Sequence, residues 1–378
     1  MSDLIPGLPE EVARECLVRV GFDQLPVVRR ISRQWKWEVE SPYYSRLRKA
    51  EGLARPMVAL VQAQPTADDA GPAVHKGSSA AAATGGPANF YRMVLLDPAE
   101  GRWTALPTLP GPMESIPLFC HVAAADGGGR KRLVVVGGWN PETWAPMNSV
   151  YVYDFLTGAW RLGEPMPGPR RSFFACAAVG GTVYVAGGHD EEKNALRSAL
   201  AYDPEADAWT ALPDMAEERD EPRGLCVGDR FLVVGGYPTQ AQGRFVGSAE
   251  AFDPAASAWG PEREEGLVPD GASPRTCCVV PGTERAYMLH DGHLVARDGA
   301  EASAWRTVAQ VPEDARAATT VSALPDGRVV VIGSACHGGE QTVYVLREEA
   351  GKGGAVWARA PAPPEFSGHV AASLFLEI

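Results

Sequence analysis

What this 378-residue chain lacks narrows its function. No stretch of eighteen apolar residues occurs, so no membrane helix is expected, and the opening MSDLIPGLPEE has neither the basic nor the apolar region of a secretory leader. Positive charge is scarce: 35 Lys and Arg stand against 47 Asp and Glu, a formal charge of −12. Phosphate neutralisation needs a concentrated basic face, so a nucleic-acid partner is not expected. The seven cysteines, Cys16, Cys120, Cys176, Cys226, Cys277, Cys278 and Cys336, form no CxxC pair, and the seven histidines form no HExxH motif or zinc-spaced cluster. Reduced, buried thiols are expected, with no metal, in a soluble protein of the cytoplasm, the nucleus or both. The acidic runs come without a nucleophile–base arrangement or a Gly-rich phosphate loop, so neither catalysis nor a cofactor is expected.

What is present is a repeat. LVVVGG (Leu133 to Gly138), VYVAGG (Val183 to Gly188) and FLVVGG (Phe231 to Gly236) are followed by VYDF, AYDP and AFDP, each then reaching a lone tryptophan. Six tryptophans fit the scheme, Trp103, Trp160, Trp209, Trp259, Trp305 and Trp357, at spacings of 57, 49, 50, 46 and 52 residues. Short β-branched runs broken by Gly-Gly and Asp-Pro at this period resemble the kelch repeat, whose copies each form one four-stranded propeller blade. The resemblance implies a mainly β fold, a six-bladed propeller over 56–378, with five or seven blades as alternatives. The tryptophans are expected to pack between blades.

Two departures from regularity carry information. Blade one is interrupted by an Ala/Gly/Pro/Ser-rich stretch, 64–89, whose composition predicts a disordered loop. It also lacks a first strand, whereas the C-terminal SGHVAASLFLEI reads as one without a blade, so the C-terminus is expected to close the ring. Blade five is degenerate, with YMLHDGHLVARD where the others carry Gly-Gly.

Only the first fifty residues have helical periodicity. Val12, Ala13, Cys16, Leu17 and Val20 draw one apolar stripe; Val27, Val28, Ile31 and Trp35 draw another. LIPGLPEEVARECLVRV (Leu4 to Val20) with LPVVRRISRQWKWEVESPYYSRLR (Leu25 to Arg48) resembles the F-box, from the opening Leu-Pro and acidic pair to the Arg-x-Trp ahead of Ser-Pro. The resemblance implies an F-box over 1–48, joined by a linker at 49–55, that binds a Skp-type adaptor and through it a cullin-RING ligase. Carried over, it assigns adaptor binding to Leu8, Pro9, Val12, Cys16, Leu17, Val20, Val27, Val28, Ile31 and Trp35. Roughly a third of these, Trp35 foremost, are expected to hold the helices together instead, because apolar periodicity marks burial and not what buries it.

In a four-stranded antiparallel blade the second-to-third loop and the blade-to-blade connection share one face. The helices enter at the second strand of blade one, so they are expected on the opposite face, leaving the varied loops for a client. Candidate client contacts there are Trp139, Trp144, Tyr237 and Phe245, large residues beside glycine turns, and His189, Asp190, Glu191 and Glu192 in HDEEKNALR. Arginines also recur near the start of each first strand: Arg170 (with Arg171), Arg219, Arg275 and Arg316. Such symmetry argues first for a structural role, and second for a ring that grips carboxylates.

PLFC (Pro117 to Cys120), RRSFF (Arg170 to Phe174), AGGHDEEKNAL and DMAEERDE narrow the resemblance to the plant branch of F-box/kelch-repeat proteins. In that branch, members are receptors that mark phenylalanine ammonia-lyase or type-B cytokinin response regulators for the proteasome. The chain is therefore expected to be a non-catalytic receptor subunit of a ubiquitin ligase. The alternatives are a kelch scaffold that recruits no ligase and, less in keeping with scattered histidines, a kelch-based copper oxidase.

Overall fold

The computed structural model describes residues 3–65, 90–260, 268–269, 271–299, 305–317, 320–336, 339–348 and 354–378. The insert expected over 64–89 lies outside the described residues from 66 onward.

Short helices come first: α1 (Glu10–Val18), α2 (Leu25–Val28), α3 (Arg33–Val39) and α4 (Pro42–Ala50). Serines start the last two, the Ser32 and Ser41 hydroxyls accepting from the backbone N–H of Trp35 and Tyr44. Ala13, Leu17, Val18, Leu25, Val28, Val39 and Tyr44 form their shared core. Carbonyls left over at the end of α1 are met by side chains, Leu17 by the Tyr44 hydroxyl at 2.8 Å and Val18 by the Arg48 guanidinium at 2.8 Å.

The remaining described elements build six four-stranded antiparallel blades. Blade one comprises β24 (Val370–Glu377), β1 (Pro56–Ala63), β2 (Tyr91–Asp97) and β3 (Arg102–Ala105). Blade two is β4 (His121–Gly127), β5 (Arg130–Val136), β6 (Val150–Asp154) and β7 (Ala159–Gly163); blade three is β8 (Ala175–Val179), β9 (Thr182–Ala186), β10 (Ala199–Asp203) and β11 (Ala208–Leu212). Blade four is β12 (Arg223–Val227), β13 (Arg230–Val234), β14 (Ala249–Asp253) and β15 (Ala258–Trp259). Blade five is β16 (Cys278–Val279), β17 (Arg285–His290), β18 (His293–Asp298) and β19 (Arg306–Gln310); blade six is β20 (Thr320–Ala323), β21 (Val329–Ser334), β22 (Gln341–Glu348) and β23 (Ala355–Arg359). The degenerate blade five keeps all four strands, but β16 has two residues and a tight Asp291-Gly292 turn replaces the long loop.

The C-terminus closes the ring. β24 pairs antiparallel with β1, from Pro56↔Glu377 to Val61↔Ala372, and the two backbone bonds between Arg55 and Ile378 continue the ladder. Closure covers the edge of β1 that would otherwise be open. The first strands β24, β4, β8, β12, β16 and β20 neighbour one another around the axis.

Each motif has a physical role in the blade. The aspartates of the aromatic-Asp turns, Asp97, Asp154, Asp203 and Asp253, each accept through Oδ1 from the backbone N–H groups two and three residues on. The chain then passes through a left-handed residue, Gly101, Gly158, Asp207 or Ser257. In the Gly-Gly pairs both residues have positive φ, and the second abuts the first strand: a Cβ on Gly188 would meet the Ser172 carbonyl at 2.4 Å. The tryptophans join neighbouring blades, as expected, and four of them donate their indole N–H to the preceding blade's exit: Trp160 to Pro107, Trp209 to Glu164, Trp259 to Pro213 and Trp357 to Gln310, at 2.7–2.9 Å.

The helices sit where the strand-one-to-two and strand-three-to-four turns emerge. Leu156 of the β6–β7 turn joins the helical core, Phe22 meets Phe155 edge to face at 6.3 Å, and Glu40 lies 3.7 Å from Arg130. Contact is close enough to require glycine: a Cβ on Gly129 would lie 2.8 Å from the Cα of Pro42, and one on Gly158 would lie 2.8 Å from the Pro26 ring. The long second-to-third loops leave from the other face, as the strand order implies.

Candidate functional site

Two surfaces at opposite ends of the molecule carry the candidate residues. On the helices, the ten apolar positions divide by burial. Leu8, Pro9, Val12, Cys16, Val27 and Ile31 are exposed, with Val27 and Ile31 both near 60% accessible. Val12 and Cys16 are one turn apart on α1, opposite the buried Ala13 and Leu17. Leu17 and Val28 are corrections to the adaptor set: both lie in the helical core, with Leu156 of the propeller among their neighbours, and present no surface to a partner. Val20 and Trp35 pack partly against the same core, and the Trp35 indole donates to the Leu4 carbonyl at 2.6 Å. Two exposed aromatics escaped the periodicity argument, Trp37 at 75% accessible and Tyr43, which has Arg14 over its ring.

At the other end, the first strands of blades two, three and four begin in the same way. Leu118, Ser172 and Asp220 form isolated bridges to Trp139, His189 and Tyr237, the residues directly after each Gly-Gly. The following residues, Phe119, Phe173 and Glu221, have φ of 53, 51 and 50°, a conformation that costs a side chain energy and recurs at functional sites. Phe119 packs on Trp139 and on Phe173, and Phe173 packs on His189, so an aromatic rim runs along two blades. Neither phenylalanine was among the sequence-derived candidates; the signal available was a bulky aromatic just ahead of the strand in PLFC and RRSFF.

Several expected client contacts prove internal. Arg219 is buried: its guanidinium donates to Glu250 at 3.1 Å and to the Gly235 and Ser248 carbonyls at 2.7 and 3.1 Å. Arg171 does the same in blade three, donating to the carbonyls of Gly187 and Ser198, and burial pulls its pKa down to about 10. These arginines lock the Gly-Gly backbone and are corrections to the client set. The structural repeat is therefore Arg171 with Arg219, whereas Arg170, Arg275 and Arg316 are exposed, Arg170 facing Glu191 and Arg316 facing Glu313.

His189 is also buried, its Nδ1 2.8 Å from Asp220 and its Nε2 3.0 Å from Lys193. Tyr237 is buried against Phe245 and donates its hydroxyl to Glu221 at 2.9 Å. Both support loops; neither offers a side chain outward. Asp190 organises its own loop, accepting from the Glu192 and Asn194 backbone N–H groups and from the Asn194 side-chain amide; desolvation acts to raise its pKa, but these bonds, the Asn194 amide first, together outweigh it and hold the pKa low. Glu191, Glu192 and Trp144 remain exposed, Phe245 is partly covered, and Trp139 is half-buried with its indole donating to Ser172 at 2.8 Å.

The thiols were expected to be buried. Cys120, Cys277 and Cys278 are, with pKa values pushed up to about 12 by desolvation, but Cys16, Cys226 and Cys336 are exposed. Among the described residues no group of three His, Cys, Asp or Glu is placed to hold a metal ion, and no helix is long and apolar enough to cross a membrane.

A closed ring of Gly-Gly blades with a helical unit on one end defines the class: a kelch-repeat propeller, and residues 75–289 match the family model described as the KLHDC2/KLHL20/DRC7 Kelch-repeats domain. The chain belongs to the F-box/kelch-repeat proteins. It is 40% identical to F-box/kelch-repeat protein At1g80440 of Arabidopsis thaliana and 36% identical to At1g15670 of the same plant, in both cases covering all of each chain. F-box/kelch-repeat protein SKIP20, also from Arabidopsis, is 33% identical over 97% of this chain and 94% of its own. The solved structure of YjhT superposes with a TM-score of 0.53 at 14% identity, covering 71% of this chain and 91% of that one, a likeness of fold alone.

Proposed function

We propose that the protein is the client-recognition subunit of a Skp–cullin–F-box ubiquitin ligase. The observation that carries this reading is the division of labour between two ends: exposed apolar side chains on a helical unit at one, an aromatic rim at the other. Val27 and Ile31 stand near 60% accessible, Val12, Cys16, Leu8 and Pro9 are exposed with them outside the helical core, and a Skp-type adaptor is the partner the family name implies. The rim built on Phe119, Phe173 and Trp139, with the exposed Trp144, Glu191, Glu192 and Arg170, takes the client.

The protein adds no chemistry of its own. Holding client and ligase on one rigid body raises the local concentration of client lysines near the loaded ubiquitin carrier. The finer reading names the client as phenylalanine ammonia-lyase, making the protein a negative regulator of phenylpropanoid synthesis; a type-B response regulator of cytokinin signalling is the second candidate. Either places it in the cytoplasm or nucleus.

Calorimetric titration of a purified Skp-type adaptor into the full chain tests the adaptor half. Val27→Asp with Ile31→Asp is expected to weaken binding by roughly thirtyfold or more, the scale of a central interface residue. Unchanged affinity in a folded double variant would remove the receptor reading.

A further inference from the structure

The mouth of the central channel, on the face away from the helices, holds a cavity of about 270 Å³. That is near the lower end of small-molecule pockets, which run from roughly 300 Å³ upward. Its walls are aromatic, with Tyr91, Phe173 and Phe174 among them, and the His121 ring lies against Phe174 at 4.1 Å. Flat rings of this kind favour a flat apolar guest.

The polar groups set the guest's charge. Arg223 and Arg275 both line the cavity. Arg223 uses its Nε on the Cys277 carbonyl at 3.2 Å, and among the described residues neither arginine has an ion pair. The other ionisable lining groups do not cancel them. Glu221 supplies one carboxylate, already engaged by the Tyr237 hydroxyl. His121 is held neutral, its pKa brought down to about 3 by burial and then by Arg223, and His369 is lowered by burial and then by Arg275. Cys120 and Cys176 are pushed up to about 12 by burial and stay protonated. Two guanidiniums against one carboxylate leave a single uncompensated positive charge.

Two further observations point to a ligand. The His121 Nε2 is sealed from water with no hydrogen-bond partner, and a buried orphan of this kind marks a place where a water or ligand group completes the site. Three of the eight non-glycine residues with positive φ among those described, Phe119, Phe173 and Glu221, meet at this one opening.

We propose that this cavity binds a small aromatic monocarboxylate, its ring between Phe173, Phe174 and Tyr91 and its carboxylate taken by Arg223 and Arg275. The proposal does not depend on the ligase reading, because it concerns the purified chain and its ligand alone. A ligand seated there would lie under the rim proposed for the client and would form part of that surface.

The test is calorimetric titration of the full chain with naphthoate, hexanoate, naphthyl methanol and a short peptide with a free C-terminal carboxylate. Naphthoate is expected to bind saturably with one site per chain, at least about tenfold more tightly than naphthyl methanol, which brings no charge to the two arginines, and than hexanoate, which brings no ring to the aromatic walls. Arg223→Gln and the exposed Arg275→Gln, each checked for native circular dichroism, are expected to weaken it tenfold or more. Absence of saturable naphthoate binding, equal binding of the neutral alcohol, indifference to Arg275→Gln, or capture of the peptide in preference to naphthoate would each overturn the proposal.

Discussion

At the scale of residues, the arginines show how one side chain can hold a blade. Arg219 is enclosed with Glu250, and its remaining donors meet backbone carbonyls at the Gly-Gly bend and Ser248. Removing one partner of such a buried pair leaves the other charged and unpaired, typically a loss of 3–5 kcal/mol. Arg219→Met is therefore expected to lower unfolding free energy by about that amount in urea titrations, while exposed Arg170→Met changes it by less than about 0.5 kcal/mol. Equal effects would contradict the assignment. This distinction was only half legible in the sequence: the recurrence was visible, but RR in PRRSFF offers two arginines and nothing local says which turns inward. Packing decided it, through the Ser198 and Ser248 hydroxyls that receive Arg171 and Arg219. Phe119 and Phe173 stayed hidden for a related reason, since a left-handed φ leaves no trace in residue type when the residue is not glycine.

At the scale of elements, the repeat was readable because each motif performs a local task that limits its chemistry. A turn that needs a side-chain acceptor for two N–H groups selects Asp, and a bend with no room for a Cβ selects Gly. The β14–β15 turn obeys the first rule but places a residue other than glycine in its left-handed position. Asp253 caps the Ala255 and Ala256 N–H groups at 2.8 and 3.3 Å, but Ser257, at φ 50°, occupies the place where Gly101 and Gly158 stand in other blades. Opposite signs are expected within six residues. Asp253→Ala should cost about 1 kcal/mol through the lost acceptor; Ser257→Gly should add up to about 1 kcal/mol by releasing strain, less the entropy cost of glycine. Denaturant midpoints that move in the same direction for both would contradict this account of the turn. The exchange of β24 into blade one was equally legible, because a strand with no blade and a blade with no first strand complement each other in one sequence.

At the scale of the whole molecule, the account joins a docking end to a recognition end through a stiff body. The stiffness has identifiable sources: Leu156 in the helical core, Phe22 on Phe155, Lys49 paired with Glu377 at 2.9 Å, and two glycines that let the helices seat directly on the propeller turns. Strand order alone predicted which face the helices occupy, since an antiparallel blade fixes where each loop emerges. Which helical residues face inward was less legible. Leu17 and Val28 share the apolar periodicity of Val12 and Val27, and periodicity is blind to whether a neighbouring turn or a separate protein covers the stripe. The central claim is that the two ends act separately. Affinity capture from proteasome-inhibited plant cells tests it, comparing the intact chain with Val27→Asp/Ile31→Asp and with Phe119→Asp/Phe173→Asp, each verified as folded. The account predicts that the helical variant loses Skp and cullin subunits but keeps its client, and that the rim variant loses the client but keeps the ligase. A folded variant that loses both, or a helical variant that retains the ligase, would contradict it.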